Sequence, residues 1–151
     1  MKPILPLIAV AVASLAGPSL RAESKPDFSG TWKLNVAKSE LGGRPITELT
    51  VVIEHKDPSF KYTASGVSEG NNFDQAEEFT TDNKPVQGDN GTVATAHWDG
   101  PALVIEVKST EGEMLESAHL SMSADGKTVV REGISKRPDG EAKLHEVYEK
   151  Q

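Results

Sequence analysis

Gly66-Val67-Ser68-Glu69-Gly70 has the Gly-x-Ser-x-Gly spacing of a hydrolase nucleophile elbow. That chemistry needs a strand turning sharply into a helix, so that the serine hydroxyl stands exposed. Here Asn71-Asn72 follows and strand-like runs lie on both sides, so the pentapeptide reads as a hairpin tip. The four histidines, His55, His97, His119 and His145, are too far apart in sequence for a close-spaced ligand motif. Alternation turns His97, His119 and His145 outward. Only His55 shares a face with Leu49, Val51 and Ile53, and its place beside Lys56-Asp57 puts it at the rim of its strand. A haem needs one axial histidine, and His55 is the residue it would use; nothing else asks for a cofactor, and none is expected. Glu77 and Glu78 fall on opposite faces and are not a working acid–base pair. Asp82, Asp89 and Asn90 lack the ordered oxygen spacing of a calcium loop. No catalytic residue and no metal site are expected.

Binding chemistry is better supported. On the run Phe73–Thr80 the inward set is Phe73, Gln75, Glu77 and Phe79; on the last run it is Leu144, Glu146 and Tyr148. A buried carboxylate must be paired or wet. Arg131, which shares a face with Val129, is the cation to answer it. A polar-lined interior is the mark of a ligand cavity, and Trp32, Phe73, Glu77, Phe79, Arg131 and Tyr148 are the expected ligand-binding residues. A bulge that slips the alternation would instead turn them to solvent.

The elements that must position these residues are strands. In Gly30-Thr31-Trp32-Lys33-Leu34 the period is two, and Trp32 is a natural plug for the closed end of a small barrel. Val36–Pro45 has room for one helical turn ending at Gly42-Gly43, with Pro45 barring continuation. Beyond it, turn clusters such as Asp57-Pro58-Ser59, Glu69-Gly70, Asp99-Gly100, Asp125-Gly126 and Asp139-Gly140 separate runs rich in Val, Ile, Thr and aromatics. The runs predict strands at 30–35, 46–55, 60–65, 73–80, 92–98, 102–108, 114–121, 128–135 and 142–148, with Val86 as a further fragment. Short, even spacing without helical stretches implies hairpin-linked antiparallel neighbours, an all-β barrel of about 8–10 strands or a sandwich.

The ends and the charge bound the setting. Met1-Lys2-Pro3, an apolar run from Ile4 to about Gly17, and Leu20-Arg21-Ala22 form a secretory signal, with cleavage expected after Ala22. The apolar run is shorter than the ~20 residues a spanning helix needs, so no membrane anchor is expected after cleavage. Residues 23–151 then make one domain, monomeric, in a bacterial periplasm or the external medium. The chain has no cysteine, so its core must suffice without disulfides. Its 23 acidic against 16 basic residues, a formal net charge of −7, oppose nucleic-acid binding, which needs a basic footprint.

Phe28-Ser29-Gly30-Thr31-Trp32-Lys33-Leu34 at one end and Val147-Tyr148-Glu149-Lys150 at the other resemble the calycin group, the lipocalins and fatty-acid-binding proteins. The opening Asp27–Asn35 is also similar to that of small exported bacterial lipocalin-like proteins. The resemblance implies an up-and-down barrel around one small apolar ligand. Three departures accompany it. Val36–Pro45 is too short for a two-helix lid, no C-terminal helix is expected, and Glu146 stands where a fatty-acid-binding protein has the arginine of its Arg-x-Tyr pair. The expectation is a neutral or cationic, largely apolar small molecule. The alternatives are a filled barrel acting as an envelope interaction module, and an enzyme using Glu77, Arg131 or Tyr148 in the same cavity.

Overall fold

The computed structural model describes residues 25–88 and 90–151. The expected signal, residues 1–22, lies outside them, as does Asp89. Ten strands follow one another: β1 (Gly30–Leu34), β2 (Ile46–Lys56), β3 (Ser59–Ser68), β4 (Asn71–Thr80), β5 (Val86–Gln87), β6 (Thr92–Asp99), β7 (Ala102–Ser109), β8 (Met114–Met122), β9 (Thr128–Arg137) and β10 (Gly140–Lys150). They form one antiparallel sheet in the order β4-β3-β2-β1-β10-β9-β8-β7-β6-β5. The sheet is an up-and-down meander joined end to end by β1 and β10, with Leu34 opposite Tyr148. Its two edges, β4 and β5, face each other and leave the barrel nearly closed. After β4, Asp82 bridges to His97 of β6 and draws the edges together at one end.

Alternation decides the faces. Leu34, Leu49, Ile53, Phe60, Ala64, Phe79, Ala96, Leu103, Leu120, Val129 and Tyr148 join Trp32 and Phe28 in one buried core. Neighbouring strands crowd two positions that lack side chains. A Cβ on Gly66 would stand 2.3 Å from the Glu48 carbonyl oxygen, and one on Gly133 2.2 Å from that of Ser117. Only glycine lets the backbones approach that closely.

Between β1 and β2 the expected helical turn is shorter than the sequence suggests. A 3₁₀ turn covers Val36–Lys38 only, because the Asn35 side chain accepts from the Lys38 N–H at 3.1 Å and Ser39 is already extended. This cap also ends β1 at Leu34, one residue before the expected boundary. Gly42 and Gly43, with φ of 62° and 78°, instead turn the chain into β2. The segment is strapped along β10: the Ser39 hydroxyl accepts from the Val147 N–H at 3.0 Å, and Glu40 and His145 exchange backbone hydrogen bonds of 2.7 and 2.9 Å. Among the described residues no helix is long and apolar enough to cross a membrane.

Candidate functional site

One end of the barrel is sealed by rings. Phe28, on the polar entry to β1, is fully buried and stacks on Trp98 (6.1 Å, 11° between planes), while Phe60 stacks on Phe79 at 4.8 Å. Trp32 donates its indole N–H to the Phe28 carbonyl at 2.8 Å, so the plug residue also ties down its own entry segment. Trp98 donates to Asp57 at 2.9 Å, and the Thr81 hydroxyl donates to the same carboxylate oxygen. These two donors hold the Asp57 carboxyl below the usual aspartate range.

His55 departs from its expected place. Its backbone is one residue from the end of β2, but its side chain is only 4% exposed, covered by Phe28, Phe60 and Trp98. Its Nδ1 accepts from the Phe28 N–H at 3.2 Å, and the Ser29 hydroxyl both donates to the His55 carbonyl and accepts from the His55 N–H, each at 2.9 Å. The three residues clasp the floor shut. The ring does not line the cavity, so His55 is not placed to ligate a haem there.

Above the floor is a cavity of about 490 Å³, within the size range of small-molecule sites. Trp32, Phe73, Phe79, Glu77, Arg131 and Tyr148 all line it, together with Leu49, Val51, Ile53 and Ile105. Phe79 is buried, Phe73 half-buried and Glu77 exposed. Glu77 both lines the cavity and meets water because β4 has a free edge, which opens the wall on that side.

A belt of charge crosses the middle. Glu146 is 2% exposed. It pairs with Arg44, is reached by the Arg131 Nη1 at 3.2 Å, and accepts from the Tyr148 hydroxyl at 2.8 Å. Arg131 turns its Nη2 to Glu116. Two cations thus meet two carboxylates, and Glu146 has partners on both oxygens, which is what makes its burial tolerable. Burial, then the neighbouring Arg131, lowers the Arg44 pKa; burial raises that of Tyr148, leaving it a neutral donor. Tyr62, across the cavity, is likewise raised by burial and then by Glu77.

Sequence reasoning missed two members of this belt. Glu116 was recoverable, since it shares a face with Ala118 and Leu120 on β8. Arg44 was not, because it lies in the irregular segment before β2, where alternation says nothing. The remaining motifs fall as expected: Ser68 ends β3, Glu69-Gly70 form the turn to β4, and Glu78 faces away from Glu77 toward Lys61. His119 is exposed and His145 half-buried. His97 is half-buried with an unpartnered, buried Nδ1.

No family model matches the sequence, and no curated protein sequence does. Solved structures share the architecture. Zebrafish ileal bile acid-binding protein, complexed with cholic acid, superposes with a TM-score of 0.58 at 17% identity, over 82% of this chain and 98% of that one. Secretory abundant heat soluble protein 4 from Ramazzottius varieornatus gives 0.55 at 12% identity, over 85% and 96%. At such identities the likeness concerns fold alone: this chain shares with both an antiparallel up-and-down β-barrel.

Proposed function

We propose that the barrel is an exported carrier that holds one small, largely apolar, uncharged molecule non-covalently. The observation that carries this reading is the composition of the cavity. Its floor is apolar, its walls are mostly so apart from the open β4 edge with Gln75 and Glu77, and its belt is already neutral, with Arg44 and Arg131 matched by Glu146 and Glu116. An acid entering such a belt must displace a buried carboxylate and leave that carboxylate without its cations, a costly exchange. An uncharged ligand faces no such exchange and gains from apolar burial at roughly 25 cal/mol per Å². A ligand hydroxyl or carbonyl has Tyr148, Tyr62 and the arginines as partners. The zebrafish protein, complexed with cholic acid, supports the same use of the fold, for a different ligand class.

The amino-terminal pattern of basic start, apolar run and small residue supports the export part of this reading, with a bacterial periplasmic or extracellular setting. The test is a native mass spectrum of the gently purified protein before and after denaturation, followed by titration with an uncharged apolar fluorophore. A co-purified neutral molecule, or saturable probe binding quenched by Phe79→Trp, is the expected result. A clean apo mass with no probe uptake would overturn the reading.

A further inference from the structure

The outer wall of the barrel carries a row that the sequence scatters over more than a hundred positions. His119 on β8 is the register partner of Glu132 on β9, and Glu132 is the register partner of His145 on β10. Glu40, in the strap before β2, is the bridge partner of His145. All four turn outward and line one shallow groove. His145 and Glu40 exchange both backbone hydrogen bonds. In antiparallel alternation His145 and Glu132 are then a non-bonded pair, with Cα atoms about 4.5 Å apart, and Glu132 and His119 a bonded pair at about 5.5 Å. The middle carboxylate already engages one ring: His145 Nδ1 and Glu132 Oε1 are 2.7 Å apart.

From this row we infer a divalent transition-metal site, of zinc or nickel type, with His119, Glu132 and His145 as ligands and Glu40 within reach of an open position. Two imidazole nitrogens and a carboxylate oxygen are a donor set that zinc accepts, at about 2.0–2.2 Å. As the side chains stand, no three such groups converge on one point among the described residues. Convergence requires the exposed His119 ring to swing over Glu132, and His145 to exchange its hydrogen bond for the metal. Among the described residues the His119 side chain has no hydrogen-bond partner to hold it back, and rotamer changes of exposed side chains are fast. Two carboxylates and the acidic chain attract a cation; Lys143, on the same groove, opposes it. The other two histidines do not compete, because His55 is closed in the floor and His97 has its Nδ1 buried.

The test uses the untagged protein, titrated calorimetrically with zinc chloride and separately with nickel chloride at neutral pH. One site is expected, with affinity falling at least about tenfold in each of His119→Ala and His145→Ala, and the loss of both abolishing it. Circular dichroism of both variants should match the parent, since the side chains lie on the outer wall. Binding should also weaken on acidification, because metal and proton compete for the same nitrogens. Absence of metal uptake, or uptake unchanged in the double variant, would overturn the assignment.

Discussion

The two ends of this cavity are built on opposite principles. The floor is aromatic and tied mainly by neutral hydrogen bonds, Trp32 to Phe28, Phe28 to His55 and Ser29 to His55, with the Asp57 carboxylate holding Trp98 at its rim. The belt is ionic, with Glu146 held by two arginines and a tyrosine. The floor derives its stability from burial, which is indifferent to what occupies the space above. The belt derives its stability from pairing, and any ligand charge must compete with that pairing. Architecture therefore resides at one end and, in the proposed carrier, selectivity at the other.

Breaking the floor should have the largest effect. Trp32→Ala removes a fully buried ring and the anchor of the Phe28 segment, and should cost about 3–5 kcal/mol, read as a lowered urea midpoint. Breaking the belt should cost less and teach more. Glu146→Gln leaves Arg44 and Arg131 short of a counter-charge and should cost about 2–3 kcal/mol, below the usual range for buried pairs because the arginines are partly exposed. It should also invert selectivity: fluorescence titration with a fatty-acid probe should show carboxylate binding in the variant and little in the parent. Equal probe affinity in both would end the claim that the belt selects.

Smaller changes sharpen the contrast. Tyr148→Phe keeps the ring but deletes one donor to Glu146, and should cost about 1 kcal/mol with little change in the fit of a wholly apolar probe. pH separates the ends without mutation. Asp57 has its pKa depressed in the folded protein, so its contribution is complete above the unfolded value near 4 and is lost as pH falls through the folded value. Tyr62 and Tyr148 are shifted upward, so theirs is complete below about pH 10 and is lost as pH rises beyond it. Urea midpoints should fall in acid through the floor and in strong base through the cavity wall. In Asp57→Asn the acid limb should be reduced.

Much of the architecture was legible because it is local. Turn clusters at Asp57-Pro58, Glu69-Gly70, Asp99-Gly100 and Asp139-Gly140 punctuate the chain, and alternation between them gives faces without knowledge of partners. Even Val86 surfaced as the short β5. All six of the expected cavity residues line the cavity, since each lies on a regular strand whose parity can be counted. Arg44 escaped because its segment has no period, and His55 was misplaced because the cover over it comes from Phe28 and Trp98, distant in sequence.

The sequence by itself determined the strands, the faces and the opposition of Trp32 to a polar interior, because each follows from a two-residue period and a turn. Only the tertiary structure decided the pairing within the belt and the row on the outer wall. Glu146 meets Arg44 from across the chain, and His119, Glu132 and His145 come into line through the register of three strands. Register is a sum over many side chains and turns at once, and no single stretch of sequence contains it.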